Sequence, residues 1–256
     1  MNIAKPTLAK PKAPSLNLGK PNPPKVNVPQ TLPKIDASKA SQVTEGYQPS
    51  AEAVKTLQPE MTPSQYVGAL QQKNLSSDSI QFLANGMPDR ESTLYACKSS
   101  RMVEDKLDPK DLEALKSAEE WVKNPSADKQ AAAAKAAEAA NFQGPGAWSA
   151  QAAAAAGQAK TAGVPAVTPQ AASGAVQLAA AKSTGAEIPQ VPEIPKFEQP
   201  EMAMPTDKLQ PPEVPQLQQP EVPAEISPLE QAQVAEVQNP FVQLGVDIAS
   251  GKITGV

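Results

Sequence analysis

The chain contains no histidine and a single cysteine, Cys97. Without histidine it lacks the commonest metal ligand and the commonest general base near neutral pH. One cysteine excludes an intramolecular disulfide and a cysteine-based metal cluster. Aromatic residues make up only 4% of the 256 positions, too few to build a core along the whole length. No run of 18 apolar residues occurs, so no helix is expected to span a membrane. The alanine tracts, such as AAAAAG at 152–157, are too short and too weakly apolar for that role. The opening MNIAKPTLAKPKAP carries lysines with no apolar run behind them and does not read as a secretory signal. Cytoplasm is the expected compartment, with signal-less export left open.

What the chain has in quantity is proline, and it is sorted. Ten of the 29 prolines fall in 1–60, twelve in 186–256 and seven in the stretch between. Charge is sorted too. Residues 1–40 hold seven lysines and one aspartate, whereas 186–256 hold three lysines against eleven acidic residues. Proline-rich, aromatic-poor segments bury too little apolar surface to offset the entropy of ordering. The expected organisation is therefore a disordered basic Lys/Pro-rich tail over 1–60, a helical domain over 61–183, an acidic Pro-rich linker over 184–238 and a short terminal amphipathic helix over 239–256. The basic tail, with KPKAP at 10–14 and KPNPP at 20–24, reads either as a docking arm for an acidic partner or as a solubilising tail. The linker contains a repeat: VPEIPKFEQPEM at 191–202 aligns with PPEVPQLQQPEV at 211–222. An extended proline-rich segment of this kind serves as a spacer or lies along a partner's groove.

The middle is punctuated by helix starts. Thr62-Pro63-Ser64-Gln65 is a capping box with proline at the first helical position. Ser76 or Ser77 to Asn85 predicts a second helix, burying Ile80 and Leu83 and stopped by Gly86. Pro88 opens a third, carrying Leu94, Cys97 and Met102. Asp108-Pro109 opens a fourth, with Leu112, Leu115, Ala118 and Val122 at helical spacing and Trp121 on the flank. Asn124-Pro125 begins the alanine-rich ADKQAAAAKAAEAA. GPGAW at 144–148 restarts the chain with Trp148 as an anchor, and Thr168-Pro169 begins the next helix. Asn239-Pro240 begins the closing one, in which Phe241, Leu244 and Ile248 form a single apolar stripe. No segment alternates with period two. The fold class is all-α, a small alanine-rich bundle flanked by disordered proline-rich tails.

Chemistry-bearing patterns are sparse. Cys97 neighbours Lys98 and Arg101 but has no histidine to act as base. Three residues after Leu94 it faces inward as a structural anchor. Ser126-Ala-Asp-Lys129 matches the S-x-x-K pair of serine–lysine acyl enzymes. Its faint companions, Ser77-Asp-Ser79 and Lys160-Thr-Ala162, stand in the wrong order, and the required strands are absent. Asp105, Asp108 and Asp111 lack the glycine and terminal glutamate of a calcium loop and read as cap and first-turn anions. The lysine tail lacks interleaved aromatics and arginine, which argues against nucleic acid. No catalytic residue, cofactor or metal ligand is assigned. Trp121 and Trp148 are structural anchors alongside Cys97. The residues expected to dock a partner are Phe241, Leu244 and Ile248.

Four stretches in order, IQFLANGMPDRESTLYACKSSR, SAEEWVKNPSADKQAAAAKAAEAANFQGPGAWSAQAAAAAG, TPQAASGAVQLAAA and FVQLGVDIASG, resemble a bacterial domain-of-unknown-function family of small alanine-rich helical proteins. The matching positions are Arg90, Glu91, Ala96 and Cys97, then Trp121, Val122 and Pro125, then Trp148, and finally Gly245, Asp247, Ile248, Ala249 and Gly251. The resemblance covers about 62–182 and 240–251. Leu94-Tyr95 stands where the family carries paired tryptophans, and no aromatic follows Gly251. Genes of that family occur near type VI secretion clusters. The resemblance therefore implies a non-enzymatic accessory or adaptor protein, acting through protein–protein contacts in assembly or cargo loading of a contractile secretion apparatus. The alternative expectation is a secreted or virion-associated structural protein with extended proline-rich tails.

Overall fold

The three-dimensional structure is a computed structural model that describes residues 25–157, 166–184 and 228–256. The fold is all-α. In chain order the helices are α1 (Ala40–Thr44), α2 (Ala51–Thr56), α3 (Pro63–Gln72), α4 (Ser76–Gly86), α5 (Asp89–Arg101), α6 (Pro109–Lys123), α7 (Ala127–Ala139), α8 (Pro145–Ala155), α9 (Val167–Thr184) and α10 (Pro228–Ala249). A 3-10 turn, Glu104–Lys106, joins α5 to α6. No strand occurs among the described residues. The expected 1–60 tail and 184–238 linker fall partly outside them; the proline-rich repeat lies wholly outside.

The proline-marked starts hold where a polar side chain can satisfy the first backbone N–H groups. Thr62 Oγ1 accepts from Gln65 N at 3.3 Å, and Gln65 Oε1 accepts in return from Thr62 N at 2.9 Å. Asp108 Oδ1 accepts from Lys110 N and Asp111 N. Helix α7 begins at Ala127, capped by Ser126, whose hydroxyl accepts from Lys129 N, rather than at Asn124-Pro125. Helix α4 includes Gly86 as its last residue, and α9 starts at Val167, just ahead of Thr168-Pro169. Met102, expected on α5, is its C-terminal cap residue and 48% exposed.

Helix α8 occupies the centre of the alanine-rich side, against α5, α6, α7 and α9. Nearly every one of its residues is buried, from Pro145 to Ala155. Small side chains allow backbones to approach closely, and the few large ones fill what remains. The Trp148 ring lies over Gly174 of α9, where an added Cβ would stand 2.5 Å from a ring carbon. Its indole N–H donates to Phe142 O at 2.7 Å. That bond holds the turn in which Asn141 and Phe142 adopt left-handed backbone, φ 52 and 54. The other side of the molecule carries the bulk. Tyr66, Val67, Leu70, Ile80, Phe82 and Leu83 of α3 and α4 are fully buried, with Tyr66 edge-on to Phe82 at 5.0 Å between centroids.

Two expected boundaries are corrected. Residues 25–60 are not a free tail: Leu32, Ile35, Ala40, Val43 and Ala53 are buried in the same core as α3 and α4. Ile35 seats on Gly86, which has no side chain to displace it. Asp78 of α4 accepts from both Ser50 N and Ser50 Oγ at 2.9 Å, fixing the start of α2. The segment makes no core of its own; its scattered apolar residues complete one supplied by other helices, which window composition does not register. Likewise α10 begins at Pro228, not at Asn239, and runs through Pro240. Proline there leaves the Glu236 carbonyl without its usual donor, a cost of ~3 kcal/mol in an undocked helix. Burial of Phe241, Val242, Val246 and Ile248 offsets it.

Replacing Gly174 by alanine should therefore lower stability by about 1–3 kcal/mol, the usual range for overpacking. Urea unfolding followed by tryptophan fluorescence measures this, and an unchanged midpoint would contradict the stacking.

Candidate functional site

Cys97 lies on α5 and is completely buried. Burial holds its thiol well above the ordinary range, with Glu119 adding to the effect and Arg101 and Lys98 only partly opposing it. The nearby Arg101 is committed elsewhere. Arg101 Nε and Nη2 donate to the two oxygens of Glu119 on α6, each at 2.7 Å, and Nη1 donates to Glu104. This is a bidentate clamp from α5 to α6, not an activating charge for a thiolate.

The serine–lysine pattern also dissolves into structure. Ser126 caps α7, and Lys129 Nζ donates to Glu120 O at 2.9 Å. Lys129 and Glu120 face a shallow groove between α6 and α7 with a volume of about 230 Å³, also lined by Glu113, Lys116, Ser117 and Ala132. Within the groove the Lys129–Glu120 ion pair measures 3.6 Å. Among the described residues no three of His, Cys, Asp and Glu gather to hold a metal ion, and no helix is long and apolar enough to cross a membrane.

The site residues named from sequence sit on four helices. Cys97 is on α5, Trp121 on α6 and Trp148 on α8, all buried. On α10, Phe241 and Ile248 are buried and Leu244 is half-buried against the core. The closing stripe thus docks on its own chain, against α4, α5 and α9.

Three residues, Asp111, Tyr95 and Gly245, make long-range contacts that sequence reasoning did not assign. Asp111 lies on α6, yet its Oδ1 accepts from Ala147 N at 2.7 Å at the start of α8, where the Gly146 N–H also favours the charged carboxylate. It serves as the cap that Gly144, lacking a side chain, cannot supply. Any side chain at Gly144 or Gly146 would overlap it, since an added Cβ would stand 2.0 or 2.1 Å from Asp111 atoms. Asp111 Oδ2 is buried with no hydrogen-bond partner among the described residues. Burial raises the Asp111 pKa, and the two backbone donors pull it partly back. The others are Tyr95 and Gly245. Tyr95 Oη donates to Phe241 O at 3.0 Å, and the ring lies against Gly245. The two glycines of GPGAW were the one available clue to Asp111.

Residues 66–193 match a family of unknown function, DUF6931. The chain belongs to that family. No curated protein and no solved structure matches it. The DUF6931 match takes in α4 to α9 and most of α3, and ends before α10. Within it, the positions singled out by resemblance hold helices together. Arg90 Nε donates to Val122 O at 2.9 Å, satisfying a carbonyl at the C-terminus of α6. Glu91 pairs with Lys34 at 3.5 Å. Beyond the match, Gly245 admits Tyr95, Asp247 accepts from Lys252 Nζ at 2.9 Å, and Gly251 takes the left-handed conformation, φ +80, just past the end of α10.

Two outcomes are expected. Cys97→Ala should cost on the order of 1 kcal/mol, and Cys97 should resist alkylation until the chain is unfolded; fast native labelling would show the thiol to be accessible. For Asp111 the folded pKa lies above the unfolded one. Its stabilising effect is therefore greatest below the unfolded value and is lost as pH rises through the folded value. The wild type should gain stability over Asp111→Asn as pH falls from 7 toward 4.5, measured by urea unfolding at each pH; the opposite trend would place the folded pKa below the unfolded one.

Proposed function

We propose that this DUF6931 protein is a non-enzymatic adaptor, acting through protein–protein contacts in assembly or cargo loading of a bacterial contractile secretion apparatus. The single observation that carries the non-enzymatic reading is the commitment of its reactive side chains. The lone thiol is sealed in α5, the S-x-x-K serine caps a helix, and Asp111, Arg90 and Arg101 are bonded across helix pairs. A chain with no histidine and its polar groups spent this way offers a scaffold, not a reaction centre. The scaffold carries two sequence arms of opposite charge, lysine-rich before residue 25 and acidic between 186 and 227. Such arms suit recruitment of an oppositely charged surface at rates sensitive to salt. The secretion setting rests on the family resemblance and its gene neighbourhood. Localisation in the cytoplasm, where assembly and loading take place, belongs to the same proposal.

Affinity capture from the native host tests this reading. The full chain is compared with one lacking 1–24 and one lacking 186–225; both deletions spare the packed residues 25–60 and α10. Secretion-machine components should be captured by the full chain. Salt-dependent loss on removing 1–24 would assign recruitment to the lysine arm. Capture of no such component by any of the three would overturn the secretion role.

A further inference from the structure

Helix α10 and the segment ahead of α1 lie on either side of the DUF6931 match in sequence, and they meet in space. Gly245 of α10 is pressed against Tyr95 of α5, with an added Cβ 2.7 Å from the ring and 3.0 Å from Leu83, and Tyr95 Oη donates to the Phe241 carbonyl. Phe241, Gly245 and Ile248 share that side of the helix, and α4, α5 and α9 wall it. Residues 25–35 take hold elsewhere on the same helix. Asn27 N donates to Gln243 Oε1 at 2.7 Å, and Gln243 Nε2 returns a bond to Asn27 O at 3.4 Å. Further along α10, Lys34 N donates to Ala249 O at 2.9 Å. Between these two anchor points on α10 stands Val246, fully buried.

The two grips oppose each other. At 3.6 residues per turn, Gln243 projects roughly 160° around the helix from Gly245. An element held from nearly opposite sides cannot move sideways until one side opens. Nor can it slide: a shift of one turn would bring Phe241 or Ala249 onto Tyr95, where the space admits only a glycine. The grips are also unequal. Tyr95 and Leu83 are fully buried residues of the bundle itself. On the other side Asn27 is exposed and Val26 and Val28 are half-buried. That segment is held by Leu32, by Ile35 on Gly86, by Ser64 Oγ donating to Pro29 O, and by the Lys34–Glu91 pair. Few buried groups and solvent-exposed backbone bonds place a segment at the low end of local stability. The weaker side opens first.

We infer that residues 25–35 are a latch over α10: the helix leaves its seat only after they lift, and their lifting alone uncovers its Gln243 side. This order of opening holds whether or not the chain is an adaptor.

Native-state hydrogen exchange of the full chain tests it, read by NMR at the Lys34 amide for the latch and the Val246 amide for α10. Exchange reports the population of each open form, and α10 freed from its seat frays because a lone short helix is marginal in water. Two matched variants separate the possibilities. Ile35→Val weakens the latch alone and should speed both amides by the same factor, about two- to tenfold for the loss of one buried methylene. Ile248→Val weakens the seat alone and should speed Val246 to a similar degree while leaving Lys34 unchanged. Leu32→Ala and Gly245→Ala repeat the comparison with larger steps. Latch variants that speed only Lys34 would show α10 leaving beneath a closed latch and overturn the inference. So would seat variants that speed both amides equally, which describes one unit with no order, or a Val246 amide that exchanges faster than Lys34 in the wild type.

Discussion

Alanine gives a helix little to bury, so helices made of it must lie close to their neighbours or not associate at all. The rest of this structure depends on that constraint. Between α8 and α9 the close approach is made possible by Gly174 and filled by the Trp148 ring; between α6 and α8 it is made possible by Gly144 and Gly146 and filled by the Asp111 carboxylate. A bulky side chain at any of these glycines would separate backbones whose remaining buried contacts are mostly alanine, with a few larger residues such as Leu115, Val122, Val176 and Leu178. The cost of misplacing one group is correspondingly large, because no broad leucine or phenylalanine interface shares the load on this side of the molecule.

Closeness also brings helix ends against other helices, and there the polar side chains find their use. Arg90 satisfies a carbonyl at the end of α6, Lys106 Nζ donates to Lys182 O and Ser183 O at the end of α9, and Lys129 donates to Glu120 O. Asp111 and Asp78 do the same for backbone N–H groups at the starts of α8 and α2. Opposite charges meet the partial charges of helix termini in each case. Buried serines join helices in the same manner: Ser92 Oγ on α5 donates to Ala84 O on α4, and Ser100 and Ser149 place their hydroxyls 3.0 Å apart between α5 and α8.

Helix class and several helix starts were legible in the sequence because they are decided locally. Thr62-Pro63 and Asp108-Pro109 each combine proline at the first helical position with a local side chain that caps the backbone N–H groups, whereas the GPGAW restart shows its proline but takes its cap from Asp111. Asn239-Pro240 carries the same local sign and is an interior stretch of α10, because burial of the residues around it outweighs one missing backbone bond. The ordering of residues 25–60 was illegible for a related reason: its apolar residues are too few to form a pattern and matter only once α3 and α4 are folded. Among the candidate residues, inward-facing Cys97 followed from helical spacing, whereas Trp121, expected on the flank of its helix, is buried. The partners of Asp111 and Tyr95 lie 36 and 146 positions along the chain, and no periodicity connects such pairs.

The aromatic residues divide the molecule unequally. Both tryptophans, Trp121 and Trp148, stand on α6 and α8, within the alanine-rich side; all three tyrosines, Tyr47, Tyr66 and Tyr95, precede α6. Tyr95 in turn touches α10 across Gly245. Light absorbed and emitted by the indoles therefore reports the state of one half of the bundle, while the phenol signals report the other half and the seating of its last helix. The chain carries two native optical channels, and the difference between them is a direct measure of how cooperatively its two halves hold together.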